Sequence, residues 1–181
     1  MSESWVVFKH CAEALLRSID TRMTPTLKAK LQASGISTEA TLLPAYEYEK
    51  WKEILALSAQ ELMPGVDPQT AHHTLGEWLT DAYFENFIGR ALKPIVKLIG
   101  IRRALGRMRQ NFRVANNYAE AEATDVGPGH VHLRMNDRGL MAYFNRGILD
   151  RGLRITDPKN LRVEIASEDA TGVVYSIRWD V

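Results

Sequence analysis

Near Asn117 the apolar residues of this chain change their spacing from the 3.6 of a helix to the 2 of a strand, which fixes the order of its architecture. Upstream, apolar positions recur on helical faces. Downstream they alternate with polar ones in two pairs of short runs, separated by one more helical stretch. A helical part over residues 1–113 followed by a strand-strand-helix-strand-strand part over 114–181 is therefore expected, within one domain, since 181 residues suit a single core.

The helical part can be divided by its stop and start signals. Ser4 to Phe8 reads equally as a strand or as the first turn of a helix. Cys11, Leu15, Leu16 and Ile19 share one helical face. Thr24-Pro25 and Asp67-Pro68 each place a capping side chain before a proline at the first helical position, and Gly35 and Pro64-Gly65 mark helix ends. Between them, Trp51, Ile54, Leu55, Ser58 and Leu62 line a helix from Tyr46 to Met63. The stripe that begins at Ala71 and runs through Leu75, Leu79 and Phe87 is broad enough for a central helix. Further helical pieces are predicted over Ala91 to Leu98, interrupted by Pro94 and stopped at Gly100, and over Ile101 to Arg113.

After the change of period, Ala119, Ala121 and Ala123 alternate with polar neighbours, and beyond Gly127-Pro128-Gly129 so do Val131, Leu133 and Met135; this predicts a hairpin. A helix from Leu140 to Leu153 carries Gly147 and Gly152, suited to close packing. Leu161 to Ile165 and Val173 to Trp179 form a second hairpin. The fold class is thus α+β, a helical part packed on a C-terminal antiparallel sheet.

Composition excludes several functions. Lys and Arg number 23 against 22 Asp and Glu, so no overall field draws the chain to nucleic acid, and none is expected as a partner. The lone Cys11 rules out an internal disulfide and any multi-cysteine metal site. Met1 to Phe8 lacks the pattern of a secretion signal, and no apolar run approaches the ~20 residues of a membrane span, so a cytoplasmic setting is expected. No phosphate loop, nucleophile elbow or zinc-protease helix occurs, which leaves catalysis unsupported and no cofactor expected.

At Asn111-Phe112-Arg113, Asn116-Asn117-Tyr118, Phe144-Asn145-Arg146-Gly147-Ile148-Leu149 and Arg178-Trp179 the chain resembles a domain family of unknown function expanded in myxobacteria. Leu43-Pro44-Ala45-Tyr46 and Phe87-Ile88-Gly89-Arg90-Ala91 extend the match over nearly the whole length. The order of segments is similar to that of 4-vinyl-reductase-type domains, haem nitric-oxide-binding domains and transport-particle subunits of Golgi trafficking. That resemblance implies a sensor or an adaptor, and it raises haem as a ligand to test. Haem needs an axial ligand facing an apolar pocket. The Tyr-x-Ser-x-Arg propionate clamp of the haem-binding relatives is absent, because Tyr175-Ser176-Ile177-Arg178 has different spacing.

Each candidate site has a plainer competitor. Adjacent His72 and His73 diverge on a helix and cannot share a metal; His130 and His132 share a strand face, where a metal with Glu120 or Glu122 competes with cross-strand pairing. Cys11 beside His10 reads as a buried thiol rather than a nucleophile with its base. Arg102, Arg103, Arg107, Arg109 and Arg113 offer an anion or partner site, or a solvated face. Asn116-Asn117 either caps the helix or binds a polar ligand, and Trp78, Tyr83, Phe84 and Phe87 are core or a ligand box. Two functions are carried forward. One is a small-molecule or signal sensor with an apolar pocket between central helix and sheet, taking a hydrophobic or anionic ligand. Its binding candidates are Arg109, Arg113, Asn116, Asn117, Tyr118, Trp78 and Phe87. The other is an interaction module that forms a homodimer or docks a signalling protein.

Overall fold

A computed structural model describes residues 4–37 and 39–181, so Met1 to Glu3, part of the stretch read above as lacking a secretion signal, lie outside it. The opening run that the sequence left ambiguous is a strand, β1 (Val6–Phe8), paired antiparallel with β2 (Ala45–Glu47). Between them stand α1 (Lys9–Ile19) and α2 (Pro25–Ala33), the latter capped where expected, by the Thr24 hydroxyl accepting from Leu27 N at 3.1 Å. α3 (Tyr48–Leu62) and α4 (Pro68–Glu85) follow; Asp67 caps α4 through Thr70 N at 3.0 Å. α4 is central, with α1, α3 and α5 (Phe87–Gly106) packed around it.

α5 departs from the expected pair of pieces. It runs through Pro94 and bends at Gly100, whose φ of 74° and ψ of 167° are open essentially to glycine alone. A short α6 (Met108–Arg113) then leads into the sheet.

The strands are β3 (Ala121–Gly127), β4 (His130–Met135), β5 (Arg162–Asp169) and β6 (Gly172–Arg178), in the antiparallel order β3-β4-β6-β5, with α7 (Leu140–Leu153) between the hairpins in sequence. Val131, Leu133 and Met135 stand opposite Ile177, Tyr175 and Val173, and all six are buried. This is the alternation read from the sequence, with His130, His132 and Arg134 turned to the wetter face. β3 is an edge strand, and of its alanines only Ala119, just before it, is fully buried.

α4 and α7 meet backbone to backbone. A Cβ on Gly76 would sit 2.1 Å from Phe144 O, and one on Gly147 would sit 2.0 Å from His73 O, so only glycine permits this crossing. The buried residues form two clusters instead of one continuous core. One lies among α1 to α4, the other beneath the sheet, and Ile148 packs against both.

Candidate functional site

Between α4, α7 and α5 the packing opens. Leu92 and Val96 of α5 face Leu79 and Phe84 of α4 and Ile148 of α7 across a cavity of about 160 Å³ that is partly open to solvent. Val7, Ala115, Asn116 and Tyr118 close one end. An engineered apolar cavity of about 150 Å³ stays dry and binds benzene, which sets the scale of a guest here.

The polar groups in the lining are mostly engaged elsewhere. Thr80 donates to Gly76 O at 2.7 Å, and Asn116 Oδ1 accepts from Ala119 N at 2.8 Å and Tyr118 N at 3.2 Å. Asn145 Nδ2 donates at 2.6 Å to Asp137, a buried carboxyl that also accepts from the Tyr48 hydroxyl at 2.7 Å. Burial pushes the Asp137 carboxyl up from its ordinary value against the pull of those two donors. The Cys11 thiol donates to Ala115 O at 3.6 Å, and burial pushes its pKa up to about 12, so it is neither a nucleophile nor a thiolate ligand. Tyr83, Asn111 and Tyr118 make no side-chain hydrogen bond to another described residue, which leaves their polar atoms for a ligand.

Of the seven residues singled out from the sequence, Asn116 and Tyr118 line this cavity and the other five do not. Arg113 reaches back to Ala119 O at 3.0 Å, to Asn117 O and to Glu120, and Arg109 pairs with Glu120 at 2.8 Å. Arg102 pairs with Asp125 of β3. These pairs tie α5 and α6 to the edge strand, so the arginine cluster is largely occupied, not an open anion site. Asn117 fastens the chain start: its Oδ1 accepts from Val6 N at 2.8 Å and its Nδ2 donates to Ser4 O at 2.9 Å. Trp78 lies under the Arg22 guanidinium, 4.2 Å from the ring centre, and Phe87 is 91% exposed. Of that aromatic set, Tyr83 and Phe84 line the cavity and Trp78 and Phe87 do not.

Sequence reasoning missed the α5 wall and the Tyr48–Asp137–Asn145 cluster. Leu92 and Val96 sit in a helix that also carries an outward apolar stripe of Phe87, Ile95 and Leu98, so periodicity does not say which stripe faces inward. Asp137 lies in a loop, with no pattern to mark it as buried.

A model for a family described as "Protein of unknown function (DUF2378)" matches residues 5–180. No curated protein matches the chain. Among solved structures, an H-NOX protein from S. oneidensis in its Fe(II)NO ligation state superposes with a TM-score of 0.72 at 11% identity, over 96% of this chain and 100% of that one. An oxygen-binding H-NOX domain related to soluble guanylate cyclases gives 0.67 at 12%, over 95% and 92%. The unliganded Fe(II) H-NOX protein from K. algicida gives 0.66 at 14%, over 94% and 95%. At such identities the likeness is one of fold.

A further match, with a TM-score of 0.70 at 12% identity over 94% of each chain, concerns haem distortion in the H-NOX family, so haem can be tested against the residues here. Among the described residues, no histidine, lysine or arginine lines the cavity. Its possible ligands are the Cys11 thiol, the Tyr83 and Tyr118 phenols and the Met108 and Met141 thioethers. Burial pushes the thiol and the Tyr83 phenol up to about 12 and raises the Tyr118 phenol as well, so these stay protonated, and a thioether serves haem beside a histidine. Tyr175 donates to Ala142 O at 2.8 Å, Ser176 meets His130 at 2.9 Å and Arg178 faces Glu164 at 3.6 Å, so none is left to clamp propionates. The residues do not fit haem.

Proposed function

This chain belongs to the DUF2378 family of proteins of unknown function, and from that premise we propose that it is a non-enzymatic sensing domain whose ligand is a compact, mostly apolar small molecule, bound without haem. The observation that carries the reading is the cavity beneath α5, apolar in its walls and with most of its polar groups already satisfied. Such a site rewards apolar area, at roughly 25 cal/mol per Å² buried, and leaves a few polar atoms for orientation. The wall formed by α5 is the readout: a guest touching Leu92 and Val96 changes how that helix lies on α4. A cytoplasmic setting, in which Cys11 stays reduced, goes with this reading.

Native mass spectrometry of freshly purified protein tests it, with benzene added as a probe where no ligand is retained. A Cβ on Gly152 would have Thr80 Cγ2 at 3.9 Å as its nearest neighbour, so Gly152→Leu puts a side chain into the void without a backbone clash. Benzene binding by the wild type, abolished by Gly152→Leu with folding retained, is the expected result. Binding unchanged by that substitution overturns the site. Haem reconstitution should give no ligated Soret band; a stoichiometric one would overturn the haem-free part.

The second reading is an adaptor, favoured by the outer face of α5. Phe87, Leu98 and Ile95 are 91%, 87% and 50% exposed and form one stripe beside Arg90, Lys93 and Lys97. Arg90, Lys93 and Lys97 beside the stripe meet no acid within residues 87–113, which opposes pairing of two copies through this face and suits an acidic protein surface. Sedimentation velocity should then show a monomer. A dimer dissolved by Leu98→Glu would instead place a second copy there.

A further inference from the structure

We propose that His73, Glu77 and Asp150 form a site for a divalent transition-metal ion of the zinc class, clamping α4 to α7. The site is independent of the cavity and of its ligand.

His73 and Glu77 stand four residues apart on α4 and so share a face, while Asp150 comes from α7. It comes close because Gly76 and Gly147 let the two helices touch. One ligand atom from each of the three lies within 4.8 Å of the others. His73 Nδ1 is 3.7 Å from Glu77 Oε2, and Nε2 is 4.0 Å from Asp150 Oδ2. Both separations are too long for a hydrogen bond, and Nε2 is buried with no partner among the described residues. A buried polar atom left unpaired costs about 1–3 kcal/mol, so this one calls for an explanation.

A metal supplies one. Zinc bonds of about 2.0–2.2 Å in tetrahedral geometry set ligand atoms roughly 3.3–3.6 Å apart, so side-chain adjustments that bring the widest of these pairs, at most 4.8 Å apart, together by about 1.2–1.5 Å close the site around a single imidazole nitrogen. Burial holds the His73 imidazole below its ordinary pKa, favouring the neutral form that ligates. Arg154 pairs with Asp150 Oδ1 at 2.9 Å, which leaves Oδ2 toward the histidine. Arg146, the other cation near His73, spends its Nε on Val163 O at 2.9 Å. One imidazole with two carboxylates suits zinc better than magnesium or calcium, which prefer oxygen alone. Three protein ligands leave a fourth position for water.

His72 does not take part, as its Nδ1 donates to Pro68 O at 2.8 Å. The competing location is the His130–His132 pair on the sheet, with ring centres 4.9 Å apart.

The test is calorimetric titration of the metal-stripped full chain with ZnCl₂, with MgCl₂ as control, alongside thermal unfolding. One saturable zinc site and a raised midpoint are expected. His73→Ala and Asp150→Asn should each weaken binding by at least about tenfold and abolish the midpoint rise, whereas the double variant His130→Ala/His132→Ala keeps both. If His73→Ala does not fold, Asp150→Asn and Glu77→Gln carry the comparison, since both carboxylates reach solvent. No saturable zinc binding overturns the proposal. So does binding that survives Asp150→Asn but is lost from the sheet-histidine variant.

Discussion

The two flanks of α4 are built on opposite terms. Toward α7 the backbones touch at Gly76 and Gly147 and leave no room for a methyl group. Toward α5 the contact opens into a cavity, and the covering helix carries a bend at Gly100 and an apolar stripe turned outward. One flank is a fixed seam and the other an adjustable wall. In the sensing role proposed above, a ligand lodged beneath α5 displaces the wall and not the seam, so its effect would pass through α5.

The sharpest way to break this contrast is to put a side chain into the seam. Gly76→Ala or Gly147→Ala forces a backbone shift and should cost about 3 kcal/mol or prevent folding; Gly106→Ala, with nothing within 4 Å, should change stability by less than about 1 kcal/mol. Urea unfolding of the three variants decides. A seam that accepted alanine as easily as Gly106 does would be no seam.

Gly100→Ala probes the wall. It meets no neighbour, so its effect is one of backbone alone, about 1–3 kcal/mol for a residue held in glycine-only conformational space. Hydrogen exchange should quicken in Leu92 to Ile99 and stay slow in α4 and α7; uniform quickening would mean that the two flanks are coupled.

A gentler test uses Asp137 on the seam side. Burial raises its folded pKa above the unfolded one, so its contribution is fully present below the unfolded value and lost as pH rises through the folded one. The wild type should therefore gain stability relative to Asp137→Asn as pH falls from 7 toward 4. A gap independent of pH would show that Tyr48 and Asn145 fully offset the burial. Smallest of all, Phe87→Ser on the outer face of α5 should move stability by less than about 0.5 kcal/mol, measured by thermal midpoint.

The sheet and its flanking helices were legible because period, caps and turn glycines agree: Thr24-Pro25, Asp67-Pro68 and the alternation of Val131, Leu133 and Met135 each carry a local signal. The candidate sites were legible only in part. Asn116 and Tyr118 were found through their place at the junction of helix and sheet. The role of Arg109 and Arg113 depended on Glu120 lying within reach, and the role of His73 depended on Asp150, 77 residues away. Such partners are set by tertiary packing, on which one-dimensional spacing is silent. The same holds for α5, where Gly100 was read as a stop and acts as a bend.

The fastening of β1 by Asn117 also has a consequence in time. Val6 and Asn117 are 111 residues apart, and at roughly 5–20 residues per second a ribosome needs on the order of 5–20 s between them. Until then Val7 has no Asn116 to bridge and Phe8 N no Ala115 O to bond, so one end of the cavity stays unbuilt throughout the synthesis of α1 to α6. A nascent chain stalled before Asn117 carries α1 to α6 and lacks both this fastening and the α7 wall of the site.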